Sequence, residues 1–146
     1  IECDIYGHVN STKICGTKMM NGLGGSADFT NNAYLSIFTC GSTQKGGAIS
    51  SIVPFASHID HTNHFIDAVI TEYGVADLRR KSDMQKAKEL IKVAHPDYRP
   101  MLEDYLRYAQ RGGGHTQHSL AAAFAMHDTF LRTGDMRNID FSDYIK

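Results

Sequence analysis

Asn21-Gly22-Leu23-Gly24-Gly25-Ser26-Ala27-Asp28-Phe29 places three glycines within four positions. A backbone so free of side chains can press against a ligand and offer its own N–H groups as the binding surface. Thr30-Asn31-Asn32-Ala33-Tyr34 follows at once and reads as the opening of a short helix, whose N-terminus adds unpaired donors and a partial positive charge. The combination suits an anion, a phosphate or a developing oxyanion. The same spacing also occurs in ordinary tight turns, so the loop alone leaves both readings open.

Outward from the loop, the chain divides near Gly74. Before it, β-type runs dominate: Ile1 to Ile5, Leu35 to Cys40, Ala48 to Val53 and Phe65 to Thr71, with turns at Tyr6–Asn10 and Lys45-Gly46-Gly47. After it, helices dominate. Ser82 with Gln85 makes a capping box, and Met84, Ala87, Ile91 and Ala94 share one face until His95-Pro96 stops the run. A second helix from about Asp97 carries Tyr98, Leu102, Tyr105 and Ala109 on one stripe and ends at Gly112-Gly113-Gly114. A third, alanine-rich helix is predicted over His118–Thr133, closed by Gly134, its small residues suited to close packing. No repeat or low-complexity linker divides residues 1–146, which read as one domain.

Composition narrows the function classes. With 42% hydrophobic and 21% charged residues the chain has ordinary globular composition. Fifteen basic against sixteen acidic residues give a formal charge of −1, which argues against bulk nucleic-acid binding but leaves local cations free to meet a phosphorylated cofactor. There is no long apolar run and no leader pattern, so no membrane partner is expected. Cys3, Cys15 and Cys40 form no C-x-x-C pair and sit beside no base in sequence. Small buried thiols in a reducing compartment are the simplest reading.

The blocks GTKMMNGLGGSADFTNNAYLSIF, KGGAISSIVPFASHIDHTNH, VITEYGVADLR and AHPDYRP, in this order, resemble the acetyl-CoA hydrolase and CoA-transferase family, in particular its succinyl-CoA:acetate CoA-transferase branch. The likeness extends over about residues 1 to 130. It implies an α/β fold: part of the second open α/β sandwich domain of a class I CoA-transferase, with strands in the first half, helices in the second, and remaining strands upstream. Relatives of this kind are several times longer, and the start at Ile1 rather than methionine fits an N-terminally incomplete piece.

What the resemblance implies for chemistry is covalent catalysis. A glutamate attacks the acyl-CoA carbonyl, passes through an acyl-glutamyl anhydride and becomes a glutamyl-CoA thioester, which a carboxylate such as acetate or succinate, or water, resolves. The nucleophile of the family lies upstream of this chain, which by itself is expected to be inactive. Gly25 matches the glycine whose backbone N–H serves the oxyanion hole. Asn21 and Gly24 flank it at the thiol end of coenzyme A or order the loop. Lys45, beside Gly46-Gly47, matches a CoA-contacting position, with an exposed hairpin lysine as the plain reading of the same residue. Ile1 is a further candidate for the cleft. No metal is implied; the partners are acyl-CoA, a small carboxylate, the remainder of the enzyme and a second copy in a homodimer. The compartment is the cytoplasm, or the mitochondrial matrix in a eukaryote.

Other residues compete for attention. Glu2, Glu72, Glu89 and Glu103 are candidate carboxylates by type. Glu72, in Thr71-Glu72-Tyr73-Gly74 at a strand end, would come first without the resemblance, which instead gives it a structural or supporting role. Glu89 and Glu103 fall among helical lysines and arginines, as solvated pairs do. His58, His61 and His64 recur every third residue with Asp60 and Asp67 interleaved, a donor set suited to zinc. A non-catalytic metal- or ligand-binding module built on that loop is therefore the alternative reading. His115 and His118 read as helix-start residues.

Overall fold

The computed structural model describes residues 2–16, 18–113 and 118–144. Ile1, Gly114 and His115, named above, lie outside these. The first half of the chain builds short ladders: β1 (Glu2–Asp4), β2 (Val9–Asn10), β3 (Lys13–Ile14), β4 (Lys18–Met19), then helix α1 (Ser26–Asn32), β5 (Ile37–Thr39), β6 (Thr43–Gln44), β7 (Ile49–Ser50), β8 (Ile52–Val53) and β9 (Ala68–Thr71). β10 (Gly74–Asp77), α2 (Asp83–Val93), α3 (Arg99–Gln110) and α4 (Ala125–Thr133) follow.

Two three-stranded sheets organise these pieces. In one, β1 runs antiparallel to β2 and parallel to β8, with Cys3 opposite Val9 and Ile52. In the other, β9 lies between β10, antiparallel, and β5, parallel, with Phe38 opposite Val69. β3–β4 and β6–β7 are separate two-stranded ladders. The predicted strand over Ala48–Val53 divides at Ser51, because Ser50 pairs back to Thr43 while Ser51 O accepts from Cys3 N in the neighbouring sheet. One β-type run thus serves two ladders. The shift to helices also comes later than Gly74. Glu72-Tyr73 makes a two-residue hairpin, Gly74 takes φ +137, and Val75-Ala76-Asp77 return as β10 along β9.

The helices pack on this framework through the faces the periodicity marks. Ala87, Ile91 and Ala94 are buried on α2 with Met84 partly so, and Leu90 and Val93 widen the stripe. Tyr98, Leu102, Tyr105 and Ala109 are all buried at α3. The second helix of the sequence reading is two elements: a single 3₁₀ turn over Pro96–Tyr98, capped by His95, then α3. α4 begins seven residues later than the predicted His118. Rather than starting a helix, His118 binds the Tyr105 hydroxyl through Nδ1 at 2.8 Å and stacks on Phe55 at 4.3 Å, and the chain to Phe124 advances in tight turns that bury Ala122 and Ala123. Gly134, at φ +81, closes α4 where the sequence places the stop. Among the described residues no helix is long and apolar enough to cross a membrane.

The capping box of α2 forms as expected: Gln85 N–H donates to Ser82 Oγ at 3.4 Å and Ser82 N–H donates to Gln85 Oε1 at 2.9 Å. Ser82→Ala is expected to cost about 0.5–2 kcal/mol, the usual worth of such a cap, read as a lower urea midpoint.

Candidate functional site

The glycine stretch forms an open turn leading into α1. Residues 21–25 are all exposed. Asn21 fastens the near end, its Nδ2 donating to Ser11 O at 2.9 Å and Gly22 O at 3.1 Å. Gly24 lies at φ +59, which favours glycine, and its turn is closed by Ser26 N–H on Leu23 O at 3.4 Å. Gly25 follows at φ −85, ψ 7 as the residue before the helix. Its carbonyl accepts from Phe29 N–H, while its own N–H has no partner among the described residues. Helix formation thus begins at Ser26, four residues before the sequence opening at Thr30, which instead sits buried within α1.

The far end of the turn is held by a side chain the sequence offers for another purpose. Ser26 Oγ lies 2.5 Å from Nε2 of His61. His61 is buried, 5.1 Å from the Phe38 ring, and exchanges backbone bonds with Val9 of β2. Burial pushes its imidazole below the ordinary 6.5, against an opposing pull from Asp60. A cavity of about 270 Å³ opens between α1 and β5, lined by Ser26, Phe29, Thr30, Leu35, Ile37 and Phe38. Met19, Met20, Leu23, Phe29, Tyr34, Leu35 and Ile37 are exposed along this stretch.

Lys45 occupies a different turn, between β6 and β7. Lys45, Gly46 and Gly47 take φ of +48, +62 and +93 in succession, so a lysine stands where glycine is the easier residue. The Tyr98 hydroxyl donates to Gly47 O at 2.7 Å and Met136 N–H to Ala48 O at 2.8 Å, which hold the turn. The exposed ammonium rests 5.1 Å above the Phe130 ring of α4. A non-glycine residue held at positive φ is uncommon, and here it stands beside an exposed cation.

The histidine loop does not converge. His58 Nε2 pairs with Asp60 at 3.2 Å, His61 turns to Ser26, and His64 is exposed. Among the described residues no three His, Cys, Asp or Glu side chains form a group able to hold a metal ion. Asp60 ties this loop to the base of the glycine turn, accepting from Ser11 N–H at 2.8 Å and Thr12 Oγ1 at 2.9 Å.

Of the carboxylates, Glu72 is exposed at the β9–β10 turn and accepts from Ser42 N–H at 2.8 Å and Ser42 Oγ at 2.5 Å, bonds that hold it below its ordinary value. Glu2 is buried: Oε1 accepts from Asn10 Nδ2 at 3.0 Å, from Ser57 N–H at 2.6 Å and from the Ser57 hydroxyl, while Oε2 meets His127 Nε2 at 2.9 Å. Nδ1 of His127 is buried without a partner among the described residues. This cluster joins positions 125 apart and leaves no trace in sequence spacing. Burial pushes the Cys3, Cys15 and Cys40 thiols up, away from the thiolate that reactivity needs.

The α/β scaffold thus presents a bare glycine turn whose Gly25 N–H has no partner among the described residues, a donor of the kind that can meet a negative charge. The profile of the acetyl-CoA hydrolase/transferase C-terminal domain matches residues 1–106, and the chain belongs to that family. It is 52% identical over 139 residues to a succinyl-CoA:acetate CoA-transferase of Clostridium kluyveri, a match spanning 94% of this chain and 26% of the relative. It is 47% identical over 147 aligned residues to an acetyl-CoA hydrolase of Schizosaccharomyces pombe, covering 94% and 28% respectively. The chain therefore spans about a quarter of the length of the curated relatives it matches. Among solved structures, a 4-hydroxybutyrate CoA-transferase from Porphyromonas gingivalis superposes with a TM-score of 0.58 at 35% identity, over 73% of this chain and 24% of that one. RipA from Yersinia pestis gives 0.67 at 28% identity, over 73% and 26%.

Proposed function

We propose that this chain is the glycine-turn part of an enzyme that transfers CoA between an acyl-CoA and a small carboxylate, or hydrolyses acetyl-CoA, through a glutamyl-CoA thioester whose glutamate lies upstream. The observation that carries the reading is the Gly25 N–H, which has no partner among the described residues and lies at an exposed turn. A backbone donor so placed can receive the oxyanion as the carbonyl becomes tetrahedral, and it needs no reorganisation to do so. Asn21 and Gly24 order the turn at the thiol end of coenzyme A. Lys45 meets a phosphate or a pantetheine carbonyl, exchanging its contact with the Phe130 face for a stronger charged one. The exposed apolar side chains from Met19 to Ile37 suit burial against the remainder of the enzyme, which in its complete form pairs as a homodimer.

Full-length protein supplied with succinyl-CoA and acetate, or with acetyl-CoA alone, tests the reading. Acyl exchange or release of free CoA supports it, and the absence of both contradicts it. Within that enzyme, Lys45→Ala is expected to raise the KM for acyl-CoA with little change in kcat, an effect that shrinks as salt is added, because a point charge on the cofactor binds ground and transition states alike. Steady-state kinetics at two ionic strengths checks it; lost turnover at saturating acyl-CoA would assign Lys45 to the chemistry instead.

A further inference from the structure

We propose that His61 is a positioning residue for this site, acting through Ser26 to hold the glycine turn, and with it the Gly25 N–H, in one place. The proposal rests on the functional reading above and names what keeps its key donor ordered.

α1 has seven residues, buries only Thr30, and receives no side-chain cap at Gly25. A helix that short gains too little from its own hydrogen bonds to stay formed in water. The turn before it is exposed throughout and, among the described residues, is fastened at its near end by Asn21 on Ser11 O. At the other end Ser26 is both the residue after Gly25 and the first of α1, so whatever fixes its side chain fixes the neighbouring peptide. That fixture is Nε2 of His61 at 2.5 Å.

His61 is suited to the task because it belongs to the framework rather than to the loop. Val9 N–H donates to His61 O at 2.9 Å and His61 N–H to Val9 O at 3.1 Å, which splices the residue onto the edge of the β2–β1–β8 sheet. Its ring lies against Phe38 of β5, in the second sheet. Asp60, one residue back, is tied to Ser11 and Thr12. A buried imidazole held between two sheets thus reaches an exposed turn through one hydroxyl. With the ring neutral, Nε2 can accept the Ser26 hydroxyl proton or donate to its oxygen, and burial favours that neutral form. The role assigned to both residues is positional: the gain is a donor already in place when charge develops.

The test uses the full-length enzyme with Ser26→Ala, His61→Ala, their combination, and His61→Gln, whose amide can reach the place of Nε2. Ser26→Ala and His61→Ala are each expected to lower kcat roughly five- to tenfold, the worth of one lost hydrogen bond, with KM for acyl-CoA little changed. The double variant is expected to fall no further than the weaker single one, and His61→Gln to recover most of the rate. Wild-type kcat in Ser26→Ala, or losses that multiply in the double variant, would overturn the proposal. So would a Ser26→Ala enzyme with no turnover together with a wild-type peptide acylated at Ser26, since Ser26 would then be a reacting group. Amide hydrogen exchange over residues 22–29 gives a readout independent of activity: faster exchange in Ser26→Ala is expected, and unchanged exchange refutes the tether even if the enzyme proves to catalyse another reaction. Failure of the wild type to move CoA counts against the functional reading alone, and Ser26→Ala keeps the tether testable if the His61 variants do not fold.

Discussion

Gly25→Ala in the full-length enzyme is expected to lower the rate of acyl transfer by up to about 10²–10³-fold, the loss typical of one oxyanion contact, because the backbone N–H stays but the added β-carbon obstructs the approach of the thioester to it. The effect on folding should be far smaller. At φ −85 an alanine is unstrained, and its β-carbon would meet only the edge of the Phe29 ring, at 3.3 Å. That ring is 79% exposed and can swing aside. A slow enzyme that unfolds normally would therefore locate the loss in the transition state. Gly24→Ala gives the contrasting case: its β-carbon meets nothing within 4 Å, but φ is +59, so the cost is backbone strain of about 1–2 kcal/mol. Comparing kcat and urea midpoints of the two variants separates a donor from a turn. Normal turnover by Gly25→Ala would make the stretch a structural turn.

Glu2→Ala is expected to destabilise the fold by about 3–5 kcal/mol, because it strips the partner from a buried histidine and from the Asn10 and Ser57 donors in one step. Glu2→Gln, which keeps the shape and one acceptor, should cost less. Burial alone would raise the Glu2 carboxyl, but the His127, Ser57 and Asn10 contacts outweigh it and hold the group below the ordinary 4.5. The sign follows from proton binding. As pH falls below that value the unfolded chain takes up a proton while folded Glu2 stays ionised, so its contribution is full above 4.5 and is lost as pH falls through the lower folded value. Urea unfolding of wild type and Glu2→Gln across the acid range should show curves that converge at low pH. Parallel curves would mean that the pair carries no linked stability.

How much of this was legible depended on whether the determining contact was local. The start of α2 is written in Ser82 and Gln85, three residues apart, and the buried stripe of α3 in Tyr98, Leu102, Tyr105 and Ala109; both appear as the periodicity requires. The end of α4 at Gly134 is equally local. Its beginning is not, because His118 is drawn into rings from three distant segments, Tyr6, Phe55 and Tyr105, and no helical periodicity records that. The run over Ala48–Val53 looks like one strand to its neighbours, yet Ser51 faces Cys3 on one side and Ser42 on the other and divides it. At the site, the open glycine turn could be read from three glycines. His61 could not: spacing presents it with His58 and His64 as a donor set, whereas its partner, Ser26, is 35 residues away. The fold class and family were legible because motif order survives in sequence; the tether and the Glu2–His127 pair were not, because they are tertiary.

The central claim is that this chain serves a reaction passing through a protein-bound CoA thioester. Mass analysis of the full-length enzyme after a short incubation with acyl-CoA, without acceptor, tests it most directly. The account predicts a CoA adduct on a glutamate upstream of Ile1, removed by acetate or succinate and accumulating more slowly in Gly25→Ala. An enzyme that turns over acyl-CoA with no adduct on any glutamate, or with an adduct that forms at the same rate in Gly25→Ala, would contradict it.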